Sequence, residues 1–239
     1  MAKLSEKIAI VTGGAGSLGK AVVLRLLSEG AIVIITHTGS DRTLTFLAEE
    51  KKKWPNLEGI TVDVTSESSV KLFFQIVLSR YDKIDILCNL VGGVGPKKNL
   101  EEITLKEWEG MFSVNLNSVF LMGSQSVEVM KKNTYGRIIN IAAMPGVRAE
   151  AKRGGYGVSK AGVIALTQMA AEEVKEYRNI TINAIAPSII LTDENKKWGT
   201  ESESTNWVTP GQIAEMIVYL CSESGNAING QIIQMYGKV

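Results

Sequence analysis

The chain has 239 residues, of which 45% are hydrophobic and 21% are charged, as expected for one α/β domain (1–239) with a large buried core. A net charge of +1 is too small to attract nucleic acid or an anionic membrane. One histidine and two cysteines, without ligand spacing, argue against a metal site. Residues 1–7 are charged where a signal peptide needs an apolar run, and no apolar stretch is long enough for a membrane span, so we expect a cytoplasmic protein.

Strand and helix patterns alternate seven times along the chain. The predicted strands are 7–12, 31–36, 59–63, 84–89, 137–143, 179–186 and 230–235. Predicted helices follow the first six strands, among them 41–53, 66–81, 104–132 and 210–222. This alternation predicts an α/β fold, a doubly wound, seven-stranded parallel sheet with right-handed crossovers and helices on both faces.

A glycine-rich turn connects the first predicted strand to the first helix. It contains Gly14-x-Gly16-x-x-Gly19, a spacing typical of dinucleotide-binding loops. Glycines permit a tight turn and let backbone N–H groups approach a pyrophosphate at the helix N-terminus. The position between strand and helix favours a dinucleotide site over the alternative, an ordinary glycine-rich turn.

Tyr156 and Lys160 lie four residues apart on one face of a predicted helix. An ammonium group near a phenol lowers the phenol's pKa, and such a pair can exchange a proton with a carbonyl or an alcohol. The same spacing also occurs in surface pairs. The glycine loop favours the catalytic interpretation.

Together, Thr12-Gly13 to Gly19 and Tyr156-x-x-x-Lys160 resemble the classical short-chain dehydrogenase/reductase family, and its 3-oxoacyl-carrier reductases in particular. The resemblance covers essentially the whole chain. It implies a single-domain Rossmann fold and hydride transfer between a nicotinamide dinucleotide and a small carbonyl or alcohol substrate.

The resemblance also assigns catalytic roles and an assembly. It makes Tyr156 the proton donor, Lys160 the residue that lowers its pKa and holds the nicotinamide ribose, and Asn115 the support of a water relay. It implies a homodimer or homotetramer through helices around 104–132 and 156–177. Small residues there would permit close helix contact, namely Gly162, Ala165 and Ala170.

Further positions match the family's cofactor-binding residues, and the resemblance gives them the same role. They are Gly13, Gly16, Ser17, Leu18 and Gly19 in the glycine loop, Asp63 and Val64 at the adenine, Asn89 and Gly92 after the fourth strand, Tyr156 and Lys160, and Pro187 and Thr192 at the nicotinamide carboxamide. Ser17 stands where the family has its second loop glycine.

The end of the second predicted strand bears on cofactor preference. Members that prefer NAD usually carry an acidic residue there, which binds the ribose 2′-hydroxyl. Here the position is His37, followed by Thr38, Ser40 and Arg42. Donors are present and a repelling carboxylate is not, so the pattern predicts NADP(H) over NAD(H). Arg42 as a solvated residue at a helix start is the alternative.

One expected catalytic residue is missing. The family has a serine thirteen residues before the tyrosine, where its hydroxyl binds the reacting oxygen; this chain has Ala143, and 136–146 contain no serine or threonine. Loss of one such donor costs on the order of a hundred- to a thousandfold in rate. Either the substrate or another group supplies the donor, or the protein binds a dinucleotide with weak or no catalysis.

Two segments flank the expected active site. Residues 148–155 carry three cations, which suit an anionic substrate or belong to a solvated loop. Residues 188–209 stand where the family has a substrate-covering lid, and their polarity predicts a mobile flap or an open pocket. Within this segment, Trp198 or Trp207 either closes over a substrate or packs on the body.

Overall fold

The structure is a computed structural model that describes residues 3–238. Its strands are β1 (Ile8–Thr12), β2 (Ile32–His37), β3 (Leu57–Thr61), β4 (Ile86–Asn89), β5 (Gly136–Ile141), β6 (Ile180–Pro187) and β7 (Ile232–Met235). They form one sheet in the order β3-β2-β1-β4-β5-β6-β7, and every neighbouring pair is parallel. This confirms the predicted doubly wound Rossmann sheet.

Helices cover both faces of the sheet. They are α1 (Ser17–Ser28), α2 (Asp41–Glu50), α3 (Glu67–Tyr81), α4 (Leu105–Phe112), α5 (Ser118–Asn133), α6 (Met144–Val147), α7 (Gly154–Glu173), α8 (Glu201–Ser204) and α9 (Pro210–Cys221). Buried residues of α1, α2 and α9 pack on one face, and those of α3, α5 and α7 pack on the other. Among residues 3–238, no helix is long and apolar enough to cross a membrane.

The strand sequences explain this two-sided packing. In β1, Ala9 and Val11 belong to the core on one face, while Ile8 and Ile10 belong to the core on the other. All five residues of β1 are buried. A parallel strand covered by helices on both faces needs apolar side chains at successive positions.

Several predicted bounds differ from the structure: β4 and β7 each begin two residues later, β5 ends two residues earlier and α2 ends three residues earlier than predicted. Two further elements differ for a clear physical reason. The predicted helix 104–132 is divided by a π-helical turn, Ser113–Asn117, between α4 and α5. The predicted third strand, 59–63, begins two residues too late. Leu57 is fully buried and pairs with Val33 of β2, so the ladder starts at Leu57 and ends at Thr61.

The lid segment, 188–209, has local structure of its own. It contains a 3₁₀ turn, Lys196–Trp198, and the short helix α8, whose first turn is capped by Thr200. A bridge between Ile190 and Val208 joins the two ends of the segment. Trp207 is buried and therefore packs on the body of the protein.

Candidate active site

A cavity of about 780 Å³ opens at the carboxyl ends of β4, β5 and β6. Six of its lining residues are predicted cofactor-binding or catalytic positions or the position of the missing serine: Leu18, Gly92, Ala143, Tyr156, Lys160 and Pro187. In open parallel sheets, ligands bind outside the carboxyl ends of the strands. The topology therefore places the chemical groups where such a fold binds its ligands.

The glycine loop between β1 and α1 leaves room for a ligand because several positions cannot carry a side chain. A Cβ added at Gly14 would collide with the side chain of Ile35, and one at Gly19 would collide with the carbonyl oxygen of Gly13. Gly13 has a φ of +66°. In the described chain no side chain caps α1 at Gly16, so the first N–H groups of the helix are left for a ligand. This arrangement fits a dinucleotide pyrophosphate.

The segment after β4 is held by Thr12 at the end of β1. The Thr12 hydroxyl oxygen accepts the N–H groups of Leu90 at 2.9 Å and Val91 at 3.1 Å. The Asn89 side chain points elsewhere, because its amide donates to Asn140 Oδ1 at 2.9 Å in the buried sheet. Of the two predicted positions here, Gly92 lines the cavity and Asn89 does not.

Asn115 and Lys160 both lie close to Gly92. The fully buried Asn115, in the π-helical turn, accepts the N–H of Gly93 and donates to its carbonyl oxygen, both at 2.9 Å. A Cβ at Gly92 would lie 2.8 Å from Asn115 Oδ1 and 3.3 Å from Lys160 Nζ. Lys160 donates to the carbonyl oxygen of Ile141 at 2.6 Å. Asn115 thus fixes the wall of the cavity beside Lys160.

Burial controls the proton affinities of Tyr156 and Lys160. It raises the pKa of Tyr156 to about 12 and lowers the pKa of Lys160 to about 8. The sequence predicted that Lys160 lowers the pKa of Tyr156. In the structure the opposing cation is Arg153, while the carboxylate of Glu150 raises that pKa further. Lys160 Nζ donates to the carbonyl oxygen of Ile141, and its effect on the pKa of Tyr156 stays a prediction.

Ala143 lines the cavity with its methyl group and is only 4% exposed. Two polar side chains of the same lining already use donor groups within the protein. The Ser188 hydroxyl donates to the carbonyl oxygen of Tyr236 at 2.8 Å, and Asn195 Nδ2 donates to that of Ile190 at 3.0 Å. The position at which the family has a serine therefore carries no hydroxyl. The hydroxyl hydrogen of Ser188, which also lines the cavity, is used in the bond to Tyr236.

Among the three cations of 148–155, the structure brings Arg153 to the cavity. Arg148 instead lies over the ring of Tyr236, 5.4 Å from its centroid. Glu150 binds Arg153 Nε at 3.4 Å and lies 3.7 Å from Lys97 Nζ. Sequence reasoning missed Lys97 and Glu150 as lining residues, because nothing in their local sequence marks them.

The lid contributes Asn195 and Trp198 to the lining. Trp198 is 43% exposed, so it stands at the entrance, whereas Trp207 is buried in the body. The neighbouring Thr192, predicted to hold the carboxamide, does not line the cavity, and its hydroxyl oxygen accepts the N–H of Asn195 at 3.2 Å.

A polar cluster joins the lid to the glycine loop. Arg42 donates to Glu194 Oε1 at 2.9 Å and to Ser17 Oγ at 3.2 Å, and the Ser17 hydroxyl donates to Glu194 Oε2 at 2.7 Å. The hydrogen bond from Ser17, assisted by Arg42, lowers the pKa of Glu194 to about 2. Sequence reasoning identified Ser17 and Arg42 and missed Glu194, which contacts them from far along the chain.

The remaining predicted cofactor residues lie outside the cavity. His37 ends β2, and its Nδ1 accepts the N–H of Gly39 at 3.0 Å, with exposed Thr38 beside it. The exposed Asp63 carboxylate accepts the N–H and hydroxyl of Thr65, and these bonds lower the pKa of Asp63. Val64, next to it, is buried.

Comparison with known proteins shows similarity along the whole chain. Residues 7–203 match the family model described as short chain dehydrogenase. The chain is 32% identical to the 3-oxoacyl-(acyl-carrier-protein) reductase FabG of Aquifex aeolicus, with 98% of each chain covered. It is 31% identical to the 7alpha-hydroxysteroid dehydrogenase of Bacteroides fragilis over 99% of this chain and 95% of that protein. The structure of NAD⁺-bound xylitol dehydrogenase superposes with a TM-score of 0.89 at 25% identity, covering 98% of this chain and 99% of the other.

Proposed function

Because the chain belongs to the short-chain dehydrogenase family, we propose that it transfers hydride between NADP(H) and a small carbonyl or alcohol substrate. The observation that best supports this proposal is that Tyr156, Lys160 and Gly92 line one cavity at the carboxyl ends of the strands. The 3-oxoacyl and hydroxysteroid relatives support a ketone or the matching alcohol as substrate, with 3-oxoacyl compounds as first candidates.

The nicotinamide dinucleotide supplies or accepts the hydride when it is bound. The glycine loop and the start of α1 would hold its pyrophosphate, Asp63 and Val64 its adenine, and Pro187 and Thr192 its carboxamide. Tyr156 donates a proton to the carbonyl oxygen in reduction and accepts it in oxidation. The low pKa of Lys160, about 8, lets this buried amine exchange a proton near neutral pH, and Asn115 holds the wall beside it.

The NADP(H) preference is supported by the residues at the end of β2. His37 and Thr38 carry no negative charge, and Arg42 is a donor suited to a 2′-phosphate. Arg42 is paired with Glu194 here, so a 2′-phosphate would take the place of that carboxylate. The lid at 188–209 would then rearrange around the bound dinucleotide.

The test is to follow nicotinamide absorbance while the protein meets NADPH and a panel of ketones, aldehydes and 3-oxoacyl thioesters. We expect turnover by the parent chain and a loss of at least about a hundredfold in Tyr156→Phe, the range for removal of a general acid. Tyr177→Phe, at an exposed tyrosine outside the cavity, is the matched control. Equal rates in the parent and Tyr156→Phe would overturn the proposal.

The second candidate is a dinucleotide-binding protein with weak or no catalysis, and Ala143 is the observation that favours it. This alternative expects NADPH to bind to the parent chain without reduction of any substrate in the panel. It also expects activity to appear in Ala143→Ser, because the new hydroxyl would line the cavity that contains Tyr156.

We also propose a homodimer or homotetramer that uses the outer face of α5 and α7. Phe120 on α5 and Met169 on α7 are each 53% exposed and border an apolar cavity of about 210 Å³. Ala165 is exposed on α7, as such a contact requires. Gly162 also allows a close contact within the chain, since an added Cβ would lie 2.8 Å from Leu116. The cytoplasmic location and the single-domain organisation stay predictions.

A further inference from the structure

We propose that Arg153 supplies the hydrogen-bond donor and the positive charge that the reacting oxygen lacks at Ala143. This inference rests on the proposed oxidoreductase function and goes beyond it, since it names the group that replaces the family's serine. Arg153, Ala143 and Tyr156 line the same cavity.

The backbone holds Arg153 in place next to Tyr156. Arg153 is the residue before α7, and its carbonyl oxygen accepts the N–H of Gly157 at 2.6 Å. A parallel bridge with Lys98 ties the same position to the loop after β4. Arg153 therefore stands three residues before Tyr156, at the start of the helix that presents the phenol.

The side chain is enclosed but keeps donors free. It is only 13% exposed, and Glu150 binds its Nε at 3.4 Å. Among residues 3–238, the two terminal nitrogens of its guanidinium find no protein acceptor within hydrogen-bonding distance. These two nitrogens are accessible to solvent, and a charged donor at a cavity wall forms a strong hydrogen bond with an acceptor that arrives with a ligand. A substrate carbonyl oxygen, which becomes more negative during hydride transfer, is such an acceptor.

The charge of Arg153 already acts on the phenol. It opposes the effect of burial and lowers the pKa of Tyr156. Lys160 is directed to Ile141, and the hydroxyl of Ser188 to Tyr236. Arg153 is thus a cation of the cavity lining, three residues before the tyrosine that handles the proton.

The first test compares Arg153→Gln with Arg148→Gln. Arg148 is the matched control because it belongs to the same loop and lies over Tyr236 without lining the cavity. We expect Arg153→Gln to lower kcat by about a hundredfold, the effect of one lost oxyanion donor, with the dissociation constant for NADPH unchanged. Arg148→Gln should keep a kcat close to that of the parent. Equal kcat values in the two variants and the parent would overturn the inference while leaving the proposed function intact.

The second test asks whether a serine and Arg153 do the same work. Ala143→Ser should raise kcat by a larger factor in Arg153→Gln than in the parent, because the new hydroxyl replaces the lost donor. Equal factors in the two backgrounds would show that the two positions act independently. That result contradicts the inference.

The pH profile gives a readout that a purely structural role would not change. Without the cation, the pKa of Tyr156 rises, so the pH at which alcohol oxidation reaches its plateau should move upward in Arg153→Gln. Arg153→Lys, which keeps the charge and loses the fork of donors, should retain the parent's plateau. If both variants keep the parental profile, Arg153 does not act on the phenol.

A binding measurement separates this inference from the proposed function, since it needs no turnover. Butyrate, whose carboxylate imitates a charged reacting oxygen, is titrated calorimetrically into the NADPH complex of each folded variant. We expect Arg153→Gln to weaken butyrate binding about tenfold relative to Arg148→Gln, as for a lost charged hydrogen bond. Absence of parental turnover together with this loss would reject the enzyme and keep the anion-binding role of Arg153. Equal butyrate binding in both variants would overturn that role.

Discussion

At the scale of single residues, Lys160 shows how the site opposes folding. Its side chain is nearly fully buried, and burial lowers its pKa from 10.5 to about 8. Between these two pH values the unfolded chain binds more protons than the folded chain, so stability rises with pH. Below pH 8, burial of the protonated Lys160 lowers the free energy of unfolding by its full amount, roughly 3 kcal/mol.

Lys160→Met should remove this pH dependence. We expect the variant to be more stable than the parent at neutral pH, although the carbonyl of Ile141 loses its donor, which costs about 1 kcal/mol. The advantage should shrink as the pH rises from 8 towards 10.5, while activity is lost throughout. Urea unfolding at several pH values measures this difference in the free energy of unfolding. A parent and variant with parallel stability curves would contradict the assignment.

A second residue-scale prediction concerns Gly92. A methyl group there would lie 2.8 Å from Asn115 Oδ1 and 3.3 Å from Lys160 Nζ, so Gly92→Ala must displace one of them. Because a displacement of about 1 Å can cost on the order of a hundredfold, we expect kcat to fall by about ten- to a hundredfold. Gly110→Ala is the control, since its Cβ would meet nothing within 4 Å and Gly110 does not line the cavity. Steady-state kinetics compares them; equal kcat values would disprove the steric argument.

At the scale of elements, hydrophobic periodicity located the helices but not the π-helical turn in 113–117. The extra residue of a π-helical turn shifts the apolar face once, by about 100°, but the segments before and after it keep helical spacing, so the sequence of 104–132 is typical of one continuous helix. The turn's stabilising contacts include the pair of hydrogen bonds between Asn115 and Gly93, 22 residues apart. Such a distant contact leaves no trace in local periodicity. The resemblance to the family marked Asn115 without indicating how its backbone is shaped.

The outer face of α5 and α7 gives an element-scale prediction. Burying a Phe or Met side chain between subunits stabilises an assembly by roughly 2 kcal/mol, and a carboxylate there opposes it. Phe120→Glu with Met169→Glu should therefore shift the protein to monomers in light scattering after size-exclusion chromatography. Leu72→Glu, on α3 and 57% exposed, is the control and should leave the assembly unchanged. An unchanged mass in the double variant would rule out this face as the interface.

At the scale of the whole molecule, the sheet and the place of the cavity follow from the order of elements. Alternating strands and helices with right-handed crossovers leave few topologies, and all of them bring the carboxyl ends of the strands to one edge. The order of elements does not show which of the three cations in 148–155 lines the cavity. That depends on the side-chain directions, which place Arg153 there. The contact between Ser17 and Glu194 spans 177 residues and joins a loop to a lid without any shared sequence signal.

That contact carries the last prediction, on cofactor preference. Glu194 occupies the donors of Arg42 and Ser17 that a 2′-phosphate would use, so Glu194→Gln, which removes the negative charge, should make it easier for the phosphate to displace this side chain. Because exposed ion pairs stabilise only weakly, we expect NADPH affinity to rise about two- to fivefold relative to NADH. Arg42→Ala should shift the ratio of the two dissociation constants the other way. Asp193→Asn is the control, since Asp193 pairs with Lys196. If Glu194→Gln weakens both dinucleotides equally, Glu194 holds the lid closed over the cofactor and does not compete with its phosphate.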